Sequence, residues 1–180
     1  MTEPTGHVDT FARDRLPARD TWPVLLRDPN PPRLNASVEL LDGTIERVGA
    51  DLPAFIAADG TWTYGDLRTD VQRCAAVLAD AGVVPGTRVL LRAPNNGWLV
   101  IAWLATLRLG AVVVTTAPLL RAMELDPIVE ISQPSLAIVD HRYTEEWDKV
   151  QGFTGTTITV GSGSPESLES RAAASTPRLE

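Results

Sequence analysis

Between Arg88 and Val160 the chain alternates short β-branched runs with longer segments of helical periodicity, and few architectures accept that pattern. The runs are Arg88 to Arg92, Val112 to Thr116, Leu136 to Val139 and Thr156 to Val160. Each is short, and rich in Val, Leu, Ile or Thr, the composition of strands buried in a sheet. Between them lie a helix over Trp98 to Leu109 closed by Gly110, a helix near Met123 to Ser132, and a helix near Thr144 to Gln151. Strands separated by helices need crossover connections, which predict parallel pairing and helices on both faces. The expected class is α/β, an open and mostly parallel sheet covered by helices.

The flanks add a small β-hairpin and an arm. From Asn35, a good helix cap, Val38, Leu41, Ile45 and Val48 recur at helical spacing until Gly49, predicting a first helix. Ala54 to Ala57 and Thr61 to Thr63 read as two strands joined by an Asp59-Gly60 turn. Thr63 and Asp66 have the spacing of a capping box, and Leu67, Val71, Cys74 and Leu78 then form one apolar stripe ending at Gly82. Pro85-Gly86 turns the chain into its next strand, and Ser164-Pro165 predicts a last helix with Ser as cap and Pro at the first position. Residues 1–36 carry six of the fourteen prolines, too many for regular helix. Phe11, Leu16, Trp22, Val24, Leu25 and Leu26 suggest that this extended Pro-rich N-terminal arm lies over a folded body, with Met1 to Gly6 disordered.

Composition removes several classes of function. The chain has 180 residues, 16 Lys+Arg against 23 Asp+Glu, and a net charge of −7, a balance that repels phosphate backbones, so nucleic acid is not an expected partner. With 44% hydrophobic and 22% charged residues it has the makings of a packed core. Cys74 is the single cysteine and His7 and His141 the only histidines, so neither a disulfide nor a structural zinc site is expected. The first thirty residues carry Asp9, Arg13, Asp14, Arg15 and Arg19 and lack an apolar run of signal-peptide length. The most apolar window, Trp98 to Val114, contains Arg108 and Gly110 and falls short of the roughly 20 residues of a membrane span. No membrane association and a cytoplasmic location are the expectations.

Ligands of an open parallel sheet sit beyond the carboxyl ends of its strands, here the loops Ala93 to Gly97, Thr116 to Arg121 and Asp140 to Arg142. Asn95 and Asn96 offer side-chain donors and acceptors there, and Arg92, Arg121 and Arg142 have guanidinium groups able to pair with phosphate. Plain turns and solvated arginines are the competing reading. Thr154-Gly155-Thr156-Thr157 resembles a phosphate loop but runs into Ile158-Thr159-Val160 without a second Gly or a Lys, and the chain's only lysine is Lys149. Gly161-Ser162-Gly163 begins a dinucleotide fingerprint whose third Gly position is Glu166, so a plain strand-to-helix turn competes with it. No G-x-S-x-G elbow occurs, Cys74 belongs to a buried stripe, and His141 beside Asp140 is the one acid-base candidate at the site's edge.

An ordered series of motifs resembles the adenylate-forming (AMP-binding) acid-CoA ligases, above all the benzoate-CoA and 2-aminobenzoate-CoA ligases. It runs through Phe11-Ala12-Arg13-Asp14 with Leu16-Pro17, Arg33-Leu34-Asn35, Trp62-Thr63-Tyr64 with Leu67, Val83 to Gly86, and Arg88-Val89-Leu90-Leu91-Arg92. It continues with Pro94-Asn95-Asn96 and Trp98, Gly110-Ala111-Val112-Val113, Pro118-Leu119-Leu120-Arg121, and a tail Ser164 to Arg171. The resemblance implies an extended arm over 1–36, the amino-terminal part of an AMP-binding ligase domain over 37–175, and a truncated end over 176–180. It implies ATP, Mg and CoA for the intact enzyme, and a carboxylic acid, aromatic by the relatives it favours, as substrate. It also places Pro118, Leu119, Leu120 and Arg121 nearest CoA. The family's Ser/Thr-Gly-rich loop ending in Pro-Lys, its adenine-binding segment, its ribose-binding Asp and its catalytic Lys are expected beyond Glu180, and Lys149 does not occupy the catalytic lysine position. The expectation is a fragment inactive alone, with surface exposed by truncation that favours self-association or aggregation. A free-standing module binding a nucleotide or CoA without catalysis, or one docking on an intact ligase, is the alternative.

Overall fold

The computed structural model describes residues 17–21, 34–58 and 60–177. Most of the expected arm, and Asp59 of the hairpin turn, lie outside the described residues. Strands β1 (Pro53–Ala57) and β2 (Gly60–Thr63) form an antiparallel pair. The main sheet contains β3 (Arg88–Arg92), β4 (Val112–Thr116), β5 (Leu136–Asp140) and β6 (Thr156–Val160) in the order β4-β3-β5-β6, every pairing parallel. The helices are α1 (Gly43–Val48), α2 (Tyr64–Asp80), α3 (Gly97–Arg108), α4 (Ala122–Ser132), α5 (Thr144–Trp147) and α6 (Leu168–Ala174).

Strand side chains alternate between two cores, because successive Cβ atoms point to opposite faces. Val89, Leu91, Leu136, Ile138, Ile158 and Val160 join Val71, Leu78, Ile101, Ala105 and Leu168 of α2, α3 and α6. Leu90, Ala137 and Val139 join Leu125, Val129 and Trp147 of α4 and α5. The register keeps each row on one side, with Leu90 opposite Ala137 and Leu91 opposite Ile138. Each fully buried leucine or isoleucine contributes roughly 1.5–3 kcal/mol. The sheet is thus covered on both faces, as expected, and the apolar window from Trp98 divides into α3 and β4. No helix among the described residues is long and apolar enough to cross a membrane.

The capping box at α2 forms as the spacing predicts. Thr63 Oγ1 accepts from the Asp66 amide at 3.1 Å, and the Asp66 carboxylate accepts from the Thr63 amide at 3.2 Å. Leu67, Val71, Cys74 and Leu78 are all buried. The β1–β2 hairpin docks through Trp62, whose ring stacks on Phe55 at 4.8 Å and whose Nε1 donates to Asp70 at 3.1 Å. Trp62 also lies against Gly97, where any Cβ would overlap the indole.

Three helices depart from expectation. The first helical run opens with a wide π-turn over Val38–Asp42, in which the Gly43 amide bonds Val38 O, and only Leu41 of its four-residue stripe is fully buried, Val38 and Val48 being exposed. Ile45 packs partly buried beside Leu41, and polar contacts hold the rest of the run. Asn35 Oδ1 accepts from the Ser37 and Val38 amides while its Nδ2 donates to Leu107 O and Arg108 O, and Asp42 pairs with Arg108 at 2.7 Å. The helix expected over Thr144 to Gln151 stops at Trp147, where the Val150 amide turns to Trp147 O at 3.0 Å in a tighter turn and the next amide, of Gln151, donates to Asp126 Oδ1 at 2.7 Å. The last helix begins at Leu168, three residues past Pro165, since Ser164 to Ser167 closes a turn through Ser167 N to Ser164 O at 3.0 Å.

Two substitutions test these contacts. Gly97→Ala forces the indole of Trp62 to shift and is expected to cost about 1–3 kcal/mol. Asn35→Ala, which removes two caps at once, is expected to cost about 1–2 kcal/mol. Urea unfolding followed by far-UV circular dichroism measures both, and an unchanged midpoint in either variant contradicts the packing or capping described.

Candidate functional site

Strands β3 and β5 are neighbours, yet the chain leaves them toward opposite faces: α3 packs in the core with α2, and α5 in the core with α4. That divergence opens a crevice at the carboxyl ends of the two strands, the place where open α/β sheets hold ligands. The crevice has a volume of about 420 Å³, and Asn95, Asn96, Trp98, His141, Arg142 and Gly161 lie on its walls. Asn96 is committed to the fold, its Oδ1 capping α3 by accepting from the Leu99 amide at 2.9 Å.

The floor of the crevice is an ion pair between a buried aspartate and a half-exposed arginine. Asp140, 1% exposed at the end of β5, accepts from Arg142 Nε at 2.9 Å, from Arg142 Nη2 at 2.8 Å and from the Arg142 amide at 3.1 Å. Burial pushes the Asp140 carboxyl up, but the hydrogen bonds and charge of Arg142, with His141 adding to them, outweigh it and hold the group below the usual carboxylate range. The Asp140 carboxylate raises the already high pKa of Arg142, which also lies over the Tyr143 ring at 5.7 Å. His141 Nδ1 stands 3.7 Å from Asp140 Oδ1 and 3.4 Å from Val160 O. Gly161, with φ of 80°, completes the floor; a Cβ there would come 3.3 Å from the imidazole.

A second cleft of about 260 Å³ adjoins the first across Arg142, which lines both. Pro118, Leu119, Leu120 and Arg121 form one of its walls, and Tyr143, Glu145 and Glu146 another. The Arg121 amide donates to Glu124 at 2.8 Å and the Ala122 amide to Glu146 at 3.0 Å, so acidic side chains hold the start of α4. Hydrogen bonds from Lys149 and from the Ala122 amide keep the Glu146 carboxyl below its ordinary range.

The sequence candidates divide accordingly. Asn95, Asn96, Arg142 and His141 meet in the first crevice, and Pro118 to Arg121 in the second. Arg92, a phosphate-pairing candidate from the sequence, is 1% exposed and donates to the carbonyls of Ala117, Leu120 and Tyr143, so its guanidinium is spent inside the protein. The signal for that was present: a charged residue that closes the apolar run Val89-Leu90-Leu91 of a central strand must find partners inside. Gly161-Ser162-Gly163 is a strand-to-helix turn whose Gly163 amide donates to the Glu169 carboxylate at 2.9 Å, so an internal anion takes a donor that a phosphate would need. Gly155 is pressed against the Ser135 backbone, at the opposite edge of the sheet from the crevices. Cys74 is fully buried, and burial pushes its thiol far up, which makes it core.

Residues 42–178 match the family model of the AMP-binding enzymes. The chain belongs to that family. It is 33% identical over 110 residues to 4-coumarate--CoA ligase 5 of Oryza sativa subsp. japonica, an alignment covering 61% of this chain and 20% of that protein. The fold matches that of a benzoate CoA ligase from Burkholderia xenovorans LB400, with a TM-score of 0.74, 24% identity, and 82% of this chain on 30% of that one. It also matches the anthranilate CoA ligase AuaEII, solved with anthranoyl-AMP, with a TM-score of 0.77, 21% identity, and 84% of this chain on 30% of that one. The chain therefore spans between a fifth and a third of the length of these relatives, and its sheet and hairpin correspond to the amino-terminal part of the adenylate-forming ligase fold.

The Asp140 pair has a testable pH signature. A group whose folded pKa is depressed stabilises the fold above its unfolded pKa, about 4 for Asp, and that contribution is lost as pH falls through the lower folded value. Asp140→Asn is expected to cost about 1–3 kcal/mol at pH 7. The gap between wild type and variant should be flat from about pH 7 to 5 and narrow below about pH 4. Urea unfolding across that range measures it; a gap that widens toward acid refutes the assignment.

Proposed function

We propose that this chain is the amino-terminal portion of an ATP-dependent acid-CoA ligase, which joins a carboxylic acid to AMP with release of pyrophosphate and then passes the acyl group to the thiol of CoA. The observation that carries this reading is the convergence of Asn95-Asn96, Pro118 to Arg121 and His141 to Tyr143 on one edge of a switch-point sheet, in a member of the AMP-binding family. An aromatic acid is the favoured substrate class. The similar proteins named above are ligases of 4-coumarate, benzoate and anthranilate, and anthranoyl-AMP is itself an acyl-adenylate of an aromatic acid.

On this reading Pro118, Leu119, Leu120 and Arg121 face CoA. Leu119 is 84% exposed and Arg121 is exposed at the start of α4, an apolar and a cationic group suited to an adenine face and a phosphate. ATP and Mg belong to the chemistry of the intact enzyme. Of the parts that chemistry needs, the 180 residues contain neither a Ser/Thr-Gly-rich loop ending in Pro-Lys nor any lysine besides Lys149, which is paired with Glu145 and Glu146. The catalytic charge is therefore assigned to sequence outside these residues, and the chain by itself to an inactive, cytoplasmic part of the ligase.

Two measurements decide the matter. Acid-dependent exchange between ATP and pyrophosphate, assayed on the purified 180-residue chain with benzoate and 2-aminobenzoate, is expected at background; robust exchange would overturn the division of labour. Reading the gene past the codon for Glu180 is expected to show the loop ending in Pro-Lys in frame, and its absence from every frame would reject the ligase reading.

A further inference from the structure

Arg92 is 1% exposed, and among the described residues its charge faces no carboxylate within ion-pair distance, unlike the buried Arg108 side chain, which pairs with Asp42 at 2.7 Å. The Arg92 Nε donates to Tyr143 O at 3.3 Å, Nη1 to Ala117 O at 3.1 Å and Nη2 to Leu120 O at 2.7 Å. None of these acceptors belongs to the loop that follows its own strand. Two lie in the connection after β4 and one in the 3₁₀ turn His141–Tyr143 after β5. An apolar residue at this place would suit the pattern of β3 and would avoid desolvating a charge, so stability alone does not call for arginine. What the guanidinium adds is direction: a rigid planar fork whose donors fix the distance and orientation of two separate loops.

The rest of the loop is held by its main chain in the same way. The Leu120 amide turns back to Ala117 O, the Arg121 amide is held by Glu124, and the Ala122 amide by Glu146. Backbone groups are pinned while the Leu119 side chain is left in solvent. We propose that Arg92 is a positioning residue, which fastens the main chain of residues 117–121 to the His141–Tyr143 turn and so presents Leu119 and Arg121 in one fixed arrangement to the nucleotide portion of CoA. The choice of CoA rests on the ligase reading above; the fastening does not.

The test uses the full 180-residue chain with Arg92→Met and Arg92→Lys, amide hydrogen exchange, and calorimetric titration with CoA. Arg92→Met is expected to raise exchange about tenfold or more at residues 119–123 and 141–144, leave amides of α3 and β5 within about twofold, and weaken CoA binding about tenfold. Arg92→Lys, which retains a donor for one carbonyl, should fall between the two. Exchange that rises evenly across the chain, or loops as protected as in wild type, overturns the proposal. Should Arg92→Met not fold, the lysine variant decides alone, since unchanged loop protection in it gives the same refutation. If wild type fails to bind CoA while Arg92→Met loosens only the two loops, the CoA assignment falls and the positioning role stands.

Discussion

Strand β3 has no side that faces solvent: β4 and β5 flank it, and helices cover both of its faces. Each polar group on it must therefore be satisfied within the protein. Its amides and carbonyls are satisfied by parallel ladders on both edges, with Arg88 beside Val112 and Val89 beside Leu136. Its side chains enter two separate cores in turn. At the last position the strand carries a charge, and its donors go to carbonyls of the loops that follow the neighbouring strands. The position of those loops follows from the burial of one strand.

The sequence reading was strongest where a periodic pattern met a defined chemical stop. All four strands of the main sheet, α2 with its capping box, and α3 closed by Gly110 follow from alternation, caps and glycines within a residue or two, whereas Asn96, which caps α3, reads from the sequence as a ligand-facing group. It failed where a side chain from far along the chain competes for a backbone donor. Asp126 takes the Gln151 amide beyond α5, and no local pattern around Gln151 reports that an aspartate twenty-five residues earlier will be its neighbour. The first helical run misled differently, because its apolar spacing is real but only Leu41 and, in part, Ile45 reach the core, and ionic and amide contacts to α3 add to them.

Site residues show the same division. That Asn95, Pro118 to Arg121 and His141 would gather at one edge follows from topology, since they all sit at carboxyl ends of strands in one parallel sheet. How each guanidinium is used does not follow, because an arginine in a loop and an arginine tied to an aspartate two residues away are written with the same letters. Arg142 closes on Asp140 and separates the two clefts, whereas Arg92 lies buried at the base of the second cleft with its donors spent on the carbonyls of the cleft's walls. The first crevice therefore has a floor whose charges are already balanced, with His141 as its half-open polar rim.

Cys74 has a different kind of consequence. It is the sole thiol in the chain, wholly enclosed between α2 and the sheet, with its ionisation suppressed by that enclosure. Alkylating reagents act on the thiolate, so they are blind to the native molecule and meet this sulfur only when α2 lifts from the strands beneath it. The chain thus carries its own clock for core opening, and a fluorophore attached through a cysteine placed anywhere on the surface would have no rival for the label.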